Sequence, residues 1–203
     1  ASLGNAIDFG NLSAGSNYTQ GCSNHIRGVI HLGRAPGTVN TLEYITIATL
    51  GNSADFGDLS SARYQSACSA SDKRGLFAGG NPLGSINVID YITFATIGNS
   101  SDFGDLSEAR GYAAGCSNNI RGIFGGGDPD PGVANVIDYI QLDTTGDAAD
   151  FGDLTVGRRS LACASNGHGG LEVGVIQRLS ASYMPGSGRA LYKGGADNPG
   201  TQI

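Results

Sequence analysis

Four cysteines, three histidines, three Asp-Phe-Gly-Asp tetrapeptides, a set of spaced arginines and one glycine run are the residues of this 203-residue chain whose types could do chemistry. Thiolates bind zinc or form disulfides, but Cys22, Cys68, Cys116 and Cys163 lie 46, 48 and 47 residues apart, far from the short Cys-x-x-Cys spacing of a zinc site. Read as one position of a repeat, they sit on successive packed sheets about 10 Å apart. A disulfide needs Cα atoms within about 7 Å, so they are expected to be free thiols used as small apolar residues. His25, His31 and His168 are too scattered to converge on a metal. The carboxylates of Asp55 with Asp58, Asp102 with Asp105, and Asp150 with Asp153 have the oxygen chemistry of calcium ligands. An aspartate beside glycine more commonly accepts from turn amides, and no metal or cofactor is assigned, with calcium kept as an alternative there and at Asp128 and Asp130. The run FGGGDPDPG at 124–132 lacks the helix and lysine of a phosphate loop, and its carboxylates would repel phosphate; it reads as a turn. Arg63, Arg110 and Arg158 recur in register and could form a cationic ring.

The elements that carry these residues follow from an internal repeat. GNSADFGDLS at 51–60 returns as GNSSDFGDLS at 98–107 and GDAADFGDLT at 146–155, with an earlier copy, GNAIDFGNLS, at 4–13. Phe9, Phe56, Phe103 and Phe151 mark steps of 47, 47 and 48 residues. Each repeat holds four short strand candidates: a around the cysteine, b ending in glycines, c as in NVIDYI, and d over DFGDL. Strand c is apolar on both parities, with Val88, Ile92 and Phe94 on one and Ile89 and Tyr91 on the other, as a strand covered on both faces must be. With 34 glycines, 15% charged residues and no tryptophan, the composition excludes a helical bundle, and it lacks the Gly-X-Y period of collagen. A formal charge of −6 with scattered basic residues argues against nucleic-acid binding, and no apolar run is long enough for a membrane span.

A 47-residue, four-stranded unit needing cover on both faces predicts an all-β chain folded as a small β-propeller. The sequence reads as a single domain over 1–203, with repeats at about 14–60, 61–107 and 108–155 and an irregular closing region at 156–203. Five blades are favoured over four, and the segment 4–13 is expected to close the ring as an N-terminal strand. Gly79-Gly80 and Gly125-Gly126, Tyr44, Tyr91 and Tyr139, and Arg63, Arg110 and Arg158 resemble the double glycine, tyrosine and arginine of kelch repeats, with Phe56, Phe103 and Phe151 where kelch has tryptophan. That resemblance implies arginines that bond carbonyls and pack between blades. The wording GN-x-x-DFGDL with NVIDYI and GGG also resembles repeat segments of structural and fibre-like proteins of tailed marine bacteriophages, over about residues 4–166.

The b–c loops (RAPGTVN, NPLGSIN, DPDPGVAN) differ most among repeats, and variable loops on a repeated frame are where binding resides. Arg34, Asn81, Asp128 and Asp130 are therefore the candidate binding residues, on loops that lack aromatic platforms. The expected role is a non-enzymatic structural and adhesive virion module, a tail-fibre or surface-decoration protein. It would be assembled in the host cytoplasm, displayed on the virion or extracellular surface, and would bind a host-surface glycan or a neighbouring virion protein, with oligomers an option. The alternatives are a propeller enzyme acting on a glycan and a purely structural assembly repeat of a filament or coat.

Overall fold

The computed structural model describes residues 4–165, all within one compact unit. The expected closing region lies outside the described residues beyond position 165. The described chain is all-β, with twelve strands in three four-stranded antiparallel sheets and no helix among the described residues. Sheet 1 contains β1 (Gln20–Ser23), β2 (Arg27–His31), β3 (Thr41–Thr46) and β4 (Ala54–Asp58). Sheet 2 contains β5 (Ala67–Ala70), β6 (Arg74–Ala78), β7 (Val88–Thr93) and β8 (Ser101–Asp105), and sheet 3 β9 (Ala114–Ser117), β10 (Arg121–Gly125), β11 (Val136–Gln141) and β12 (Ala149–Asp153). Each sheet is a meander in chain order, so the a, b, c and d segments of the repeat are its four strands.

The DFGD tetrapeptide makes a bulge in every sheet. Leu42 pairs with Gly57 and Glu43 with Asp55, leaving Phe56 as the extra residue, and Phe103 and Phe151 are skipped in the same way. The extra residue bends the outer strand and re-aims its side chain. Each phenylalanine thereby meets the tyrosine of the neighbouring c strand edge-on, with ring centroids 5.9 Å apart in Tyr44–Phe56 and Tyr91–Phe103 and 5.8 Å apart in Tyr139–Phe151. Arg27, Arg74 and Arg121 lie over these tyrosines at 5.0, 4.7 and 4.7 Å. Arg27 and Arg74 then donate across to the next sheet, to the carbonyls of Phe94 and Leu142.

Apolar clusters fill the spaces between sheets. Val29, Leu42, Phe56, Phe77, Ile92 and Phe94 pack between sheets 1 and 2; Leu76, Ile89, Phe103, Phe124, Ile140 and Leu142 pack between sheets 2 and 3. The inner strands β1, β5 and β9 adjoin one another in that order. At the outer edge one junction is repeated: the Gly98 amide donates to Phe56 and Ser100 to Asp58, while Gly146 donates to Phe103 and Ala148 to Asp105. A Cβ on Gly57 or Gly104 would lie 2.5 Å from the carbonyl oxygen of Gly98 or Gly146, so the close approach requires glycine.

The same junction recurs at the start of the chain. Gly51 donates to Phe9 and Ser53 to Asn11, and a Cβ on Gly10 would lie 2.1 Å from the Gly51 oxygen. Residues 4–13 form no strand of a described sheet, yet they occupy on sheet 1 the place that β4 holds on sheet 2. The strand partner expected for this segment falls outside the described residues.

Candidate functional site

The d–a connections, which return the chain from the outer to the inner strand, set up the most distinctive site. In each, one residue has a left-handed backbone: Tyr18 (φ 59°), Gln65 (63°), Tyr112 (57°) and Ser160 (58°). None is glycine, and a non-glycine residue held in this region costs on the order of 1–3 kcal/mol, a strain that collects at functional positions. The amide of Tyr112 donates to the Gln65 carbonyl and that of Ser160 to the Tyr112 carbonyl, both at 3.0 Å, linking equivalent residues of successive repeats.

These four residues line one cavity of about 430 Å³, together with Gln20 and Leu161 among others. Among the described residues its lining contains no carboxylate, imidazole, ammonium or guanidinium. Gln65 is 4% exposed, and neither atom of its side-chain amide has a hydrogen-bond partner among the described residues. An unpaired buried amide costs about 1–3 kcal/mol, and both amide atoms of Gln65 are shielded from solvent. A second cavity of about 370 Å³ lies next along the inner strands and shares Gly21, Cys68, Gly115 and Cys163 with the first.

The b–c loops meet this site from outside. Arg34, Asn81 and Asp128 occupy equivalent positions, each joined by backbone hydrogen bonds to a d–a connection: Arg34 to Asn17, Asn81 to Tyr64, Asp128 to Gly111. None of the three lines the cavity. Arg34 instead stacks 5.4 Å from the centroid of Tyr64, whose ring lies 5.4 Å from that of Tyr18. Asn81 accepts from Gly84 within its own loop, and Asp128 accepts from the amide of Asp130 and pairs with Arg159, which lies over Tyr112. Asp130 is exposed. Arg34, Asn81 and Asp128 thus brace the d–a connections through their backbones. The aromatic rings beside these loops, Tyr18, Tyr64 and Tyr112, come from the d–a connections and not from the b–c loops themselves.

Arg63 and Arg110 form no cationic ring. Both are fully buried, and each makes an ion pair with an aspartate of its own c strand, Arg63 with Asp90 at 2.8 Å and Arg110 with Asp138 at 2.7 Å. Arg63 also donates to the Phe77 carbonyl, the carbonyl bonding that the kelch resemblance implied. Asp90 further accepts from the amide and hydroxyl of Ser60, and Asp138 from those of Ser107. Sheet 1 changes both members together: Ser16 replaces the arginine and Glu43 the aspartate, with Ser13 and Ser53 donating to the Glu43 carboxylate. Burial would raise the Glu43 carboxyl, but those hydrogen bonds outweigh it and hold it below the usual range. Arg158, at the end of the described array, is exposed and bonds the Val156 carbonyl.

The cysteines do not share one repeat position. Cys22 and Cys116 stand four residues beyond the left-handed residue of their repeat, whereas Cys68 and Cys163 stand three beyond. The strand pairing agrees: Gln20, Ala67 and Ala114 face the equivalent residues His31, Ala78 and Gly125, and Cys68 follows directly while Cys22 and Cys116 come two later. Successive side chains in a strand point to opposite faces, so Cys22 projects toward sheet 2 while Cys68 projects back toward sheet 1. Both pack on the cluster between those sheets, and a Cβ on Gly75 would lie 2.5 Å from the Cys22 sulfur. Burial pushes the Cys22 thiol up to about 12 and raises that of Cys68. Cys116 and Cys163 stand in the same opposed relation, and Cys163 is exposed rather than buried.

His31 is buried, with Nε2 3.2 Å from the Val39 carbonyl and its ring edge-on to Phe77; burial lowers its pKa to about 4. His25 is exposed, and His168 lies outside the described residues. Of the DFGD carboxylates, Asp150 caps its own turn by accepting from Gly152, as Asp8 does from Gly10. Among the described residues no three His, Cys, Asp or Glu side chains come together as metal ligands would, and no helix is long and apolar enough to cross a membrane. No family model matches the chain, and no curated protein matches it.

Proposed function

We propose that the chain is a non-enzymatic binding module built as a small β-propeller of five blades, serving as an adhesive part of a tailed-phage virion and taking up a host-surface glycan at the cavity ringed by the d–a connections. The observation that carries the binding reading is this cavity: about 430 Å³, lined by Tyr18, Gln65 and Tyr112, with no charged group among its described lining residues. Sugars are recognised by aromatic faces and by groups that both donate and accept, and a carboxamide does both. A cavity of this size and neutrality suits one or two uncharged sugar units better than the flat, larger area of a protein contact. Among the described lining residues there is no carboxylate or imidazole for general acid–base chemistry.

The propeller reading rests on three like sheets side by side, adjoining inner strands, and one outer junction repeated from the segment 8–13 onward. The virion setting rests on the resemblance of the repeat wording to phage structural proteins. A glycan array of neutral and acidic oligosaccharides, followed by calorimetry on the retained sugar, tests the function. Binding without release of shortened sugar, weakened roughly tenfold in Tyr112→Ala, a loss of about 1.4 kcal/mol, is the expected result. Turnover of the sugar would support the enzyme instead, and retention of a protein rather than any sugar would favour an assembly role.

A further inference from the structure

The thiols offer a second chemistry, independent of any ligand. Cys116 lies in β9, and Cys163 stands two residues before Ser165, whose hydroxyl donates to the Ser117 carbonyl at 2.5 Å. The previous junction is built alike, with Ser117 donating to the Ala70 carbonyl at 2.7 Å. Cys116 and Cys163 differ by the same one-residue offset, relative to the left-handed residue of their repeats, as Cys22 and Cys68. The Cys163 thiol perturbs the ionisation of Cys116, and both line the cavity of about 370 Å³ along the inner strands, as do Cys22 and Cys68. Cys163 is exposed. The Cys22–Cys68 pair has the same opposed register but is packed into the apolar cluster between sheets 1 and 2.

We propose that Cys116 and Cys163 are a thiol–disulfide site that closes to an intramolecular disulfide on reaction with a small-molecule disulfide, clamping sheet 3 to the segment that follows it. The accessible Cys163 sulfur, as thiolate, attacks one sulfur of the reagent; the S–S bond of the reagent breaks, and its first half leaves as a thiol after taking up a proton. Cys116 then gives its proton to solvent and attacks the Cys163 sulfur, and the second half leaves as a thiol. Two protein thiols are oxidised and one reagent disulfide is reduced to two thiols, so atoms and electrons balance. The order of attack follows from environment: burial first, and then the neighbouring Cys163 thiol, push the Cys116 thiol up to about 12, which disfavours it as the initial nucleophile.

The reduced full-length chain, treated with oxidised glutathione and read by intact mass and peptide mapping, tests the site. The expected product has lost the mass of two hydrogens and joins Cys116 to Cys163, while Cys22 and Cys68 remain alkylatable once the protein is unfolded. Cys116→Ser should keep a glutathione adduct on Cys163, Cys163→Ser should yield no linkage, and Cys22→Ser should link as the wild type does. A stable glutathione adduct on wild-type Cys163, a linkage to any other cysteine or between two chains, or complete lack of reaction would overturn the proposal.

Discussion

Removing the Asp90 carboxylate is the sharpest test of how the sheets are held internally. One oxygen, Oδ2, receives the Arg63 guanidinium at 2.8 Å, the Ser60 hydroxyl at 2.8 Å and the Ser60 amide at 3.1 Å, with both charged side chains fully excluded from solvent. Asp90→Ala leaves Arg63 charged and buried with only the Phe77 carbonyl at 3.1 Å. Breaking one side of a buried pair costs about 3–5 kcal/mol, a large share of the roughly 5–15 kcal/mol that holds a domain together. The double variant Arg63→Met, Asp90→Ala removes both charges and leaves the Ser60 donors as the main deficit, about 1–3 kcal/mol. It should therefore be more stable than Asp90→Ala alone, so the two substitutions couple favourably. Urea unfolding of the wild type, both single variants and the double supplies the cycle, and the buried Arg110–Asp138 pair in sheet 3 allows a second one. An Asp90→Ala cost below about 1 kcal/mol, the range of an exposed pair, would refute the reasoning.

Two further outcomes follow from buried groups. His31 carries its proton less readily in the folded chain, with a pKa near 4 against 6.5, so the unfolded chain binds more protons between those values. Stability should fall as pH drops from about 6.5 to about 4, by about 3 kcal/mol for this group; denaturation at both ends of that window should show the loss, and His31→Leu should lack this component of it. Gly104→Ala places a Cβ 2.5 Å from the Gly146 oxygen at φ +144° and should cost at least about 2 kcal/mol, whereas Gly37→Ala, with nothing within 4 Å, should change the unfolding midpoint little.

The strands were legible because the repeat exposes them: four segments of fixed order, punctuated by Gly, Asn and Asp, became β1 to β12. What escaped were relations among strands. Asp90 reads as one more polar residue in VIDYI until the structure sets it against Arg63, although the joint change to Ser16 and Glu43 in the first repeat was a visible clue. The cysteine steps of 46, 48 and 47 against phenylalanine steps of 47, 47 and 48 were a second clue. In a strand a one-residue offset reverses the side chain, which turned an apparent row of isolated thiols into opposed pairs. Tyr18, Gln65, Tyr112 and Ser160 are of three residue types and share their backbone conformation, a property that residue identity does not announce.

The outer junction between sheets has a consequence for how such a chain changes over generations. Phe56 and Phe103 offer the same carbonyl to the same glycine amide of the next unit, and Phe9 offers its own to Gly51. Since each unit carries both halves of an interchangeable coupling, a duplication or deletion of one whole repeat, by slippage or unequal recombination, re-forms every joint at its boundaries. Length in steps of about 47 residues is then the cheapest heritable variable, while an insertion of any other size must be absorbed within a loop.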